Sequence, residues 1–424
     1  MVVMARRAAP PLLLVAMLSF FAGRAVRYHL GGSETPVAAI TGGYNLHPVD
    51  VFKAVLDALN RDYVDKITDQ KKLTYGAVDN MVGSLNDPYS RFLTPQQRKF
   101  LDEAEAGRFH GLGAVLLLKP AVHNGMKHFR LVVVATVPGG PARAAGIKPG
   151  DIITRIDDGY FLQLPTESDQ DLPDRDSLQG LIPLPGRGDA VPRLIEYKEA
   201  MQILSRDGAK VKLTLLRAGS PKPVETEVTL GPVTVQPVES RMLSDTIGYV
   251  HVNGLMKGCG EELHKALVGL RDEGARSLVI DLRDSIGGSL DEMVASAGQF
   301  TRGTLGYVQR RGARRQALVA SGEPVFTGRV VVLMNGATVG ASELLASALE
   351  SRLLARSVGD TTFGDGRDQT VFPLADGSAI ELTTGKLLTA SGKEFNGTGL
   401  APDVRVTAPD QQLAKAVAML NSPA

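Results

Sequence analysis

Two short apolar runs, each followed by a glycine-rich turn and then a helical pattern, constrain the fold most strongly. The first run, S-L-V-I-D at 277–281, leads through a turn that ends at Gly288 into a helical pattern. The second run, R-V-V-V-L at 329–333, leads through a turn that ends at Gly340 into another. Near-continuous apolar runs of strand length are typical of strands buried on both faces of a parallel sheet. The repeated order of strand, turn and helix therefore predicts an α/β fold.

The two turns place glycines where a strand ends and a helix begins. Backbone N–H groups at a helix N-terminus have no partner within the helix, and they stabilise negative charge. Two such turns together could form an oxyanion hole, which would suggest acyl chemistry or anion binding. Glycines that only permit tight turns explain the same spacing, and on spacing alone this second explanation is favoured.

Length, charge and cysteine content narrow the classes of protein. The chain has 424 residues and 43% apolar content, enough for two or three domains. Its formal net charge of +1 gives no global attraction for nucleic acid, so no nucleic-acid partner is expected. The single cysteine, Cys259, excludes an internal disulfide, and the seven histidines lack metal-ligand spacing. We therefore expect no metal site and no cofactor.

The N-terminus has the features of an export signal. Two arginines precede an apolar run at 12–21, and G-R-A at 23–25 offers a small-x-small cleavage site. The run is shorter than the ~20 residues that span a bilayer comfortably, so a cleaved signal peptide at 1–25 is favoured over a permanent anchor. We expect an exported protein of the periplasm or cell envelope, with an inner-membrane anchor at 11–23 as the alternative.

Sequence patterns divide the next part of the chain into segments. After a Gly-rich linker at 26–46, apolar residues at helical spacing predict an N-terminal helical domain at 47–106. A turn is expected at Asn86-Asp87-Pro88, because proline disfavours helix in the preceding residue. From 107 to 235, short strands between turn residues predict a β module. A stretch at 158–192, rich in Pro, Asp and Gly, predicts a surface insertion in that module.

The β module resembles a known peptide-binding domain. It opens with G-L-G-A from Gly111 and continues with P-G-G-P-A at 138–142 and A-G-I-K-P-G-D at 145–151. These residues resemble the PDZ domain of the C-terminal processing peptidases, whose glycine loop binds a peptide carboxylate and whose edge strand accepts an added strand. The resemblance implies that the peptide is bound by Gly111, Leu112, Gly113, Ala114, Val115 and Leu116.

A second resemblance covers the C-terminal half of the chain. Its motifs are I-D-L-R-D-S-I-G-G at 280–288, V-L-M-N-G-A-T-V-G-A-S-E at 332–343, F-G-D-G at 363–366 and N-G-T-G-L-A-P-D-V at 396–404. They resemble, in the same order, the protease domain of the same peptidases, which are also called tail-specific proteases. The resemblance implies a crotonase-like stack of ββα units at 236–408, followed by a C-terminal helix and tail at 409–424.

Both residues of the family's catalytic dyad are absent. In that family the nucleophile is the middle serine of S-A-S-A-S-E, and Gly340 stands at its place, with no side chain to attack a carbonyl. The general base is the lysine of F-G-K-G, and Asp365 stands there instead. A carboxylate at this place would repel the oxyanion that forms during catalysis. The resemblance therefore implies a pseudoprotease, a catalytically inactive homologue.

Other residues of the family's site are present. Gln369 matches the glutamine that supports the lysine, Gly288 matches a glycine-turn donor, and Ala341 matches the residue whose N–H helps to hold the oxyanion. A requirement of the turns for folding would explain the same residues without any function.

Several other side chains are candidates to replace the dyad. Ser342 is the obvious substitute nucleophile, but two residues along a helix rotate a side chain by about 200°, so we expect it to point away from the direction of Gly340. Ser347 lies further along the same predicted helix but has no adjacent base in the sequence, and Asp365 with Asp368 would form an acid pair in a turn where acids are more often simply solvated. Lys386 matches a position that the family uses structurally, so a role as the base is not favoured.

The expected function is binding without cleavage. The PDZ domain and the vacant cleft would bind peptides or protein C-termini, and the protein would act as an adaptor, a decoy or a regulator of an active protease relative. The helical domain and the C-terminal helix would support a homo-oligomer. One alternative is an active serine-type endopeptidase that cleaves C-terminal tails with a non-standard nucleophile. A weaker one is acyl-thioester chemistry, which the crotonase-like fold alone would suggest.

Overall fold

The computed structural model describes residues 48–85, 87, 89–164, 179–182, 192–353 and 355–422. The predicted export segment, the linker that follows it and most of the predicted insertion at 158–192 lie outside these ranges. Within them, no helix is both long enough and apolar enough to cross a bilayer.

The secondary structure alternates between helices and short strands. The helices are α1 Pro48–Asp62, α2 Gln70–Gly83, α3 Pro95–Glu105, α4 Pro141–Ala144, α5 Tyr197–Leu204, α6 Cys259–Asp272, α7 Leu290–Gly298, α8 Ala341–Leu353 and α9 Pro409–Asn421. The strands up to residue 234 are β1 Arg91–Leu93, β2 Arg108–Phe109, β3 Ala114–His123, β4 Met126–Thr136, β5 Ile152–Ile156, β6 Gly159–Phe161, β7 Arg193–Ile195, β8 Lys210–Leu216, β9 Val224–Thr229 and β10 Val233–Thr234. The later strands are β11 Val238–Ser244, β12 Ile247–Val252, β13 Ser277–Asp281, β14 Gly303–Arg310, β15 Gln316–Ala320, β16 Arg329–Met334, β17 Arg356–Gly359, β18 Arg367–Pro373, β19 Ala379–Thr389 and β20 Val404–Arg405.

Of the described residues, those up to Thr74 form one compact unit, and those from Tyr75 onward form another. The first unit contains α1, whose apolar residues Val51, Val55 and Leu59 are exposed. Within the predicted helical segment at 47–106, the described residues form the helices α1, α2 and α3.

The start of α3 is fixed by its sequence. Thr94 caps the helix by accepting a hydrogen bond from the Gln97 N–H, and the Gln97 side chain bonds back to the Thr94 N–H at 2.9 Å. This reciprocal arrangement satisfies two backbone donors that the helix itself cannot pair. Just before it, β1 pairs antiparallel with β19. Helical spacing does not predict this strand, because three residues are too few to show a strand period.

Strands β3 to β9 form a mostly antiparallel sheet. Its core contains the fully buried Leu131, Ile153, Ile195 and Leu213. The sequence pattern predicts a helix over 193–205, but the helix begins only at Tyr197. The preceding three residues form β7, which pairs parallel with β6. Strand pairing therefore overrides the helical spacing at that end.

The C-terminal half contains a sheet in the order β11-β12-β13-β16-β17-β20, parallel from β12 onward. The predicted apolar runs form its centre, β13 and β16. Alternate side chains of these strands pack into two different clusters. Helices α6, α7 and α8 cover one face, where Ile280 and Val332 are buried. Helix α9 covers the other face, where Val279 and Val331 are buried. The strands are buried on both faces, as predicted, and the fold is mixed α/β.

A second C-terminal sheet joins β14, β15, β18 and β19 with β1. Arg310 at the end of β14 lies opposite Gly385 of β19, and Asp368 of β18 lies opposite the same glycine on the other side. This sheet therefore carries the segment that follows Asp365 and brings it beside the hairpin between β14 and β15.

Candidate functional site

Gly340 lies between β16 and α8 in a left-handed backbone conformation, with φ of +59°. Its N–H donates to the Glu343 carboxylate at 2.9 Å, and its carbonyl accepts from the N–H groups of Glu343 and Leu344 at 3.0 and 3.3 Å. A Cβ added at this position would have only the Asp365 carbonyl oxygen within 4 Å, at a distance of 3.9 Å. Positions 340 and 365 are thus neighbours, with open space above the glycine.

Glu343 holds the two predicted dyad positions together. Its carboxyl group is fully buried and accepts hydrogen bonds from the N–H groups of Gly364 and Asp365, each at 2.8 Å, as well as from Gly340. The Thr362 hydroxyl donates to the same group. Burial raises the pKa of Glu343 to about 7, although these four hydrogen bonds favour the ionised form. A single acidic side chain therefore fixes the relative position of the two loops.

The Asp365 side chain forms an ion pair with Arg367. The Arg367 Nε donates to Asp365 Oδ1 at 2.6 Å, and both side chains are largely buried. Burial opposes the charged form of Arg367, but the carboxylate outweighs it and raises the pKa of the arginine above its usual value. The Arg367 Nη1 is buried without a hydrogen-bond partner among the described residues. The carboxylate at the predicted base position is therefore already engaged by a cation.

Tyr89 connects this ion pair to the β module. The Arg367 guanidinium stacks on the Tyr89 ring, with its central carbon 3.0 Å from the ring centroid. The Tyr89 hydroxyl donates to the Leu118 carbonyl of β3 at 2.7 Å. Gln369, predicted to support the base, instead donates from its Nε2 to the Tyr89 carbonyl at 3.1 Å. Sequence reasoning gave no role to Tyr89 or to Arg367, although Arg367 lies between Asp365 and Gln369, because the two residues are far apart in the chain.

The N–H groups of Gly288 and Ala341 both lack an acceptor among the described residues. Gly288 has φ of +133°, and a Cβ there would lie 2.2 Å from the Leu255 carbonyl oxygen, so only glycine fits. The preceding Gly287 lies against the start of α8, because a Cβ added to it would be 3.9 Å from the Ala341 nitrogen. The turn and the helix start, which the sequence singled out, therefore lie side by side with free donors. Such donors can bind an oxyanion or a carboxylate.

The side chains that could replace the dyad are placed elsewhere. Ser342 is fully buried, and its Oγ lies 2.8 Å from the Oγ of Ser285, which is its side-chain partner among the described residues. Ser347 is also buried. Lys386 is exposed and pairs with Glu394 at 3.3 Å. No lysine or histidine of the described part of the chain bonds to Ser342, so its hydroxyl has no base.

The predicted peptide-binding segment at 111–116 enters β3. The Leu112 N–H donates to the Leu204 carbonyl at the end of α5 at 2.8 Å, which fixes the loop on that helix. Strand β3 pairs with β4 on one side, and among the described residues no strand pairs with its other side. Its Val115 and Leu117 pack in one apolar cluster with Val339, which precedes Gly340. The edge strand and the site loops are therefore in direct contact.

The fold is a mixed α/β scaffold in which two glycine-containing turns bring free backbone donors side by side. Residues 246–406 match the model of peptidase family S41, and residues 38–96 match the model described as the N-terminal domain of the activating protease CtpB. The C-terminal part of the chain, at 246–406, is thus a peptidase family S41 domain.

Curated relatives and a solved structure are similar over most of the chain. The carboxy-terminal processing protease CtpA of Bacillus subtilis is 27% identical over 94% of this chain and 78% of its own length. A probable CtpA-like serine protease of Staphylococcus haemolyticus is 30% identical over 84% of this chain and 64% of its own length. The structure of a photosystem II D1 C-terminal processing protease, 26% identical, superposes with a TM-score of 0.63 over 88% of this chain and 97% of its own.

Proposed function

We propose that this chain is a catalytically silent family member that binds peptides or protein C-termini without cleaving them. In this proposal the sheet of β3 to β9 is a PDZ domain and the C-terminal half is a crotonase-like protease core. The protein is exported to the periplasm or cell envelope, assembles as a homo-oligomer, and serves as an adaptor, decoy or regulator of an active relative.

The geometry at position 340 carries the proposal. A glycine stands where the family resemblance places the nucleophile, beside open space that a side chain could have occupied. The neighbouring Asp365 is bound to Arg367, so it is not free to act as a base toward an incoming water or hydroxyl. A carbonyl in this cleft would meet hydrogen-bond donors but no nucleophile.

The features needed for binding are present. Strand β3 has an unpaired edge within the described residues, and an extended peptide can add to such an edge through main-chain hydrogen bonds. The Gly288 and Ala341 N–H groups provide two further donors near that strand. A peptide could therefore be held along β3 and into the vacant site.

The competing function is an active serine-type endopeptidase. It requires another nucleophile, and Ser342 is the candidate serine in the motif. The burial of Ser342 and its bond to Ser285 argue against this role, because a substrate carbonyl cannot approach a side chain enclosed in the core.

Binding without turnover can be tested in one experiment. A fluorescein-labelled, unstructured peptide with an apolar C-terminus is titrated with the purified protein, and anisotropy reports binding while mass spectrometry reports the peptide's length. We expect saturable binding with the peptide intact, and weaker binding by Ala114→Pro. Gly113 accepts from the Val137 N–H, so by the antiparallel alternation Val115 pairs with β4 while the Ala114 N–H faces the open edge, and proline removes that donor. Val319→Pro, on the edge strand β15, is the matched control. Equal loss in both variants, or no binding by the parent, would refute the proposal.

A further inference from the structure

The hairpin between β14 and β15 carries an unusual concentration of positive charge. Its sequence at 310–315 is R-R-G-A-R-R, and we call this segment the arginine tip. Residues 311–317 are exposed. The whole chain has a formal net charge of only +1, so four arginines in six residues are a local feature and not a reflection of composition.

Most of this charge has no counter-ion among the described residues. Arg310 pairs with Asp368 at 2.7 Å and donates to the Gln316 side chain at 2.6 Å. Arg311, Arg314 and Arg315 form no ion pair with any described carboxylate. Exposed charges of one sign repel each other, and an anionic ligand would relieve this repulsion.

Direct contacts connect the arginine tip with the site. Position 340 neighbours Asp365, and Asp368 is three residues further along the same segment. Asp368 then bonds to Arg310 across Gly385, whose missing side chain leaves room, because a Cβ there would lie 3.1 Å from the Asp368 carboxylate. The path from Asp365 to Arg310 covers three residues along the chain and two spacings between neighbouring strands. Together these amount to roughly 15–20 Å, the span of about five or six extended residues.

The surroundings of the tip add to its positive charge. The Arg315 guanidinium lies over the turn at Gly392, 2.9 Å from where a Cβ would stand, and Lys393 follows that turn. The nearby acids are already neutralised, since Asp365 and Asp368 pair with arginines and Glu394 pairs with Lys386. A ligand carboxylate near the tip would meet unpaired cations.

We propose that the arginine tip makes the cleft selective for peptides that carry acidic residues about five or six residues away from the part bound at position 340. This inference rests on the proposed peptide-binding function and names its ligand class. Arginine guanidinium groups bind carboxylates in a bidentate manner and keep their charge at every physiological pH. A peptide is favoured over a membrane surface because the tip holds only Gly312 and Ala313 between its arginines, which gives no large apolar side chain to insert into lipid.

The test uses three labelled peptides of about twelve residues that share one apolar C-terminal half. Their other half is rich in Asp and Glu, neutral, or rich in Lys. By anisotropy at ~50 mM salt, the acidic peptide should bind at least about tenfold tighter than the neutral one, and this advantage should shrink strongly at ~500 mM salt, where charges are screened. The variant Arg311→Gln/Arg314→Gln/Arg315→Gln should lose the advantage and bind the neutral peptide as the parent does.

A charge-matched control separates the tip from net charge. Lys127→Gln/Lys222→Gln/Arg276→Gln removes three exposed charges outside the tip and should keep the preference for the acidic peptide. Equal binding of acidic and neutral peptides by the parent would overturn the inference while leaving peptide binding intact. Binding of no peptide at all would overturn the proposed function as well. Charge-dependent sedimentation with vesicles of anionic phospholipid, lost in the tip variant while peptide preference is unchanged, would assign the tip to a membrane and also overturn the inference.

Discussion

At the scale of residues, the proposed loss of catalysis rests on three positions. Gly340 offers backbone only, Asp365 is bound by Arg367, and Arg367 is fixed on the Tyr89 ring. An unpaired carboxylate at position 365 would carry a negative charge in a largely buried place, and the Arg367 guanidinium neutralises it. The charges of Asp365 and Arg367 therefore cancel, and neither side chain is free to react beside Gly340.

This arrangement predicts what is needed to restore peptidase activity. Gly340→Ser has space for its side chain, but φ of +59° costs a non-glycine residue about 1–2 kcal/mol. Asp365→Lys places an ammonium group beside the Arg367 guanidinium, which repels it from the site. We expect neither single change to give activity, the pair to give a trace, and the pair with Arg367→Thr to give at least about tenfold more hydrolysis than the pair alone.

The control for this rescue replaces the serine by alanine in the same background. Gly340→Ala/Asp365→Lys/Arg367→Thr should fold equally well and remain inactive, because it lacks the hydroxyl. Hydrolysis is measured by mass spectrometry of an unstructured substrate, and folding by circular dichroism. A folded triple variant without activity would show that more than the dyad has been lost.

At the scale of elements, one carboxyl group joins the loop before α8 to the loop before β18. Glu343 accepts from the backbone of both, so its protonation state affects how they are held. Its pKa in the folded protein is about 7, raised from 4.5 by burial. Between these two values the folded state binds more protons than the unfolded state, so the free energy of unfolding falls as pH rises. The contribution of Glu343 to the free energy of unfolding is complete below pH ~4.5 and is lost as pH rises through ~7.

The Glu343→Gln variant tests this coupling. An amide nitrogen at one carboxyl position would face backbone donors and leave at least one of them unpaired, which costs about 1–3 kcal/mol. The variant cannot titrate, so its free energy of unfolding should change less between pH 5 and pH 8 than that of the parent. Urea denaturation at both pH values measures this, with Glu225→Gln, an exposed residue, as the control. Parallel pH profiles for parent and Glu343→Gln would contradict it.

At the scale of the molecule, the parts that local signals encode could be predicted, and the parts that depend on distant pairing could not. The apolar runs predicted β13 and β16 because burial on both faces leaves a continuous apolar sequence. The strand β1 was missed, because its three residues are ordered by pairing with β19. The prediction that a helix begins at residue 193 was wrong for a similar reason. Residues 193–195 form β7, which pairs with β6.

The site shows the same division. Motif resemblance pointed to Gly340, Asp365 and Gly288, and the structure brings their loops together. The motifs gave no sign of the contact between Arg367 and Tyr89, because a cation stacked on an aromatic ring depends on the tertiary fold and not on spacing. Gln369 was expected to support the base position, but it bonds to the Tyr89 backbone.

We propose that this protein hydrolyses no peptide bond. The most direct test is to determine the C-terminal sequence of a substrate after long incubation with the purified protein. An unstructured, tail-tagged substrate is incubated at equimolar ratio and analysed by intact-mass spectrometry, with Ser342→Ala measured in parallel. We expect the full-length mass of the substrate to persist in both samples. Serial trimming that co-elutes with the parent protein on gel filtration and disappears in Ser342→Ala would contradict it.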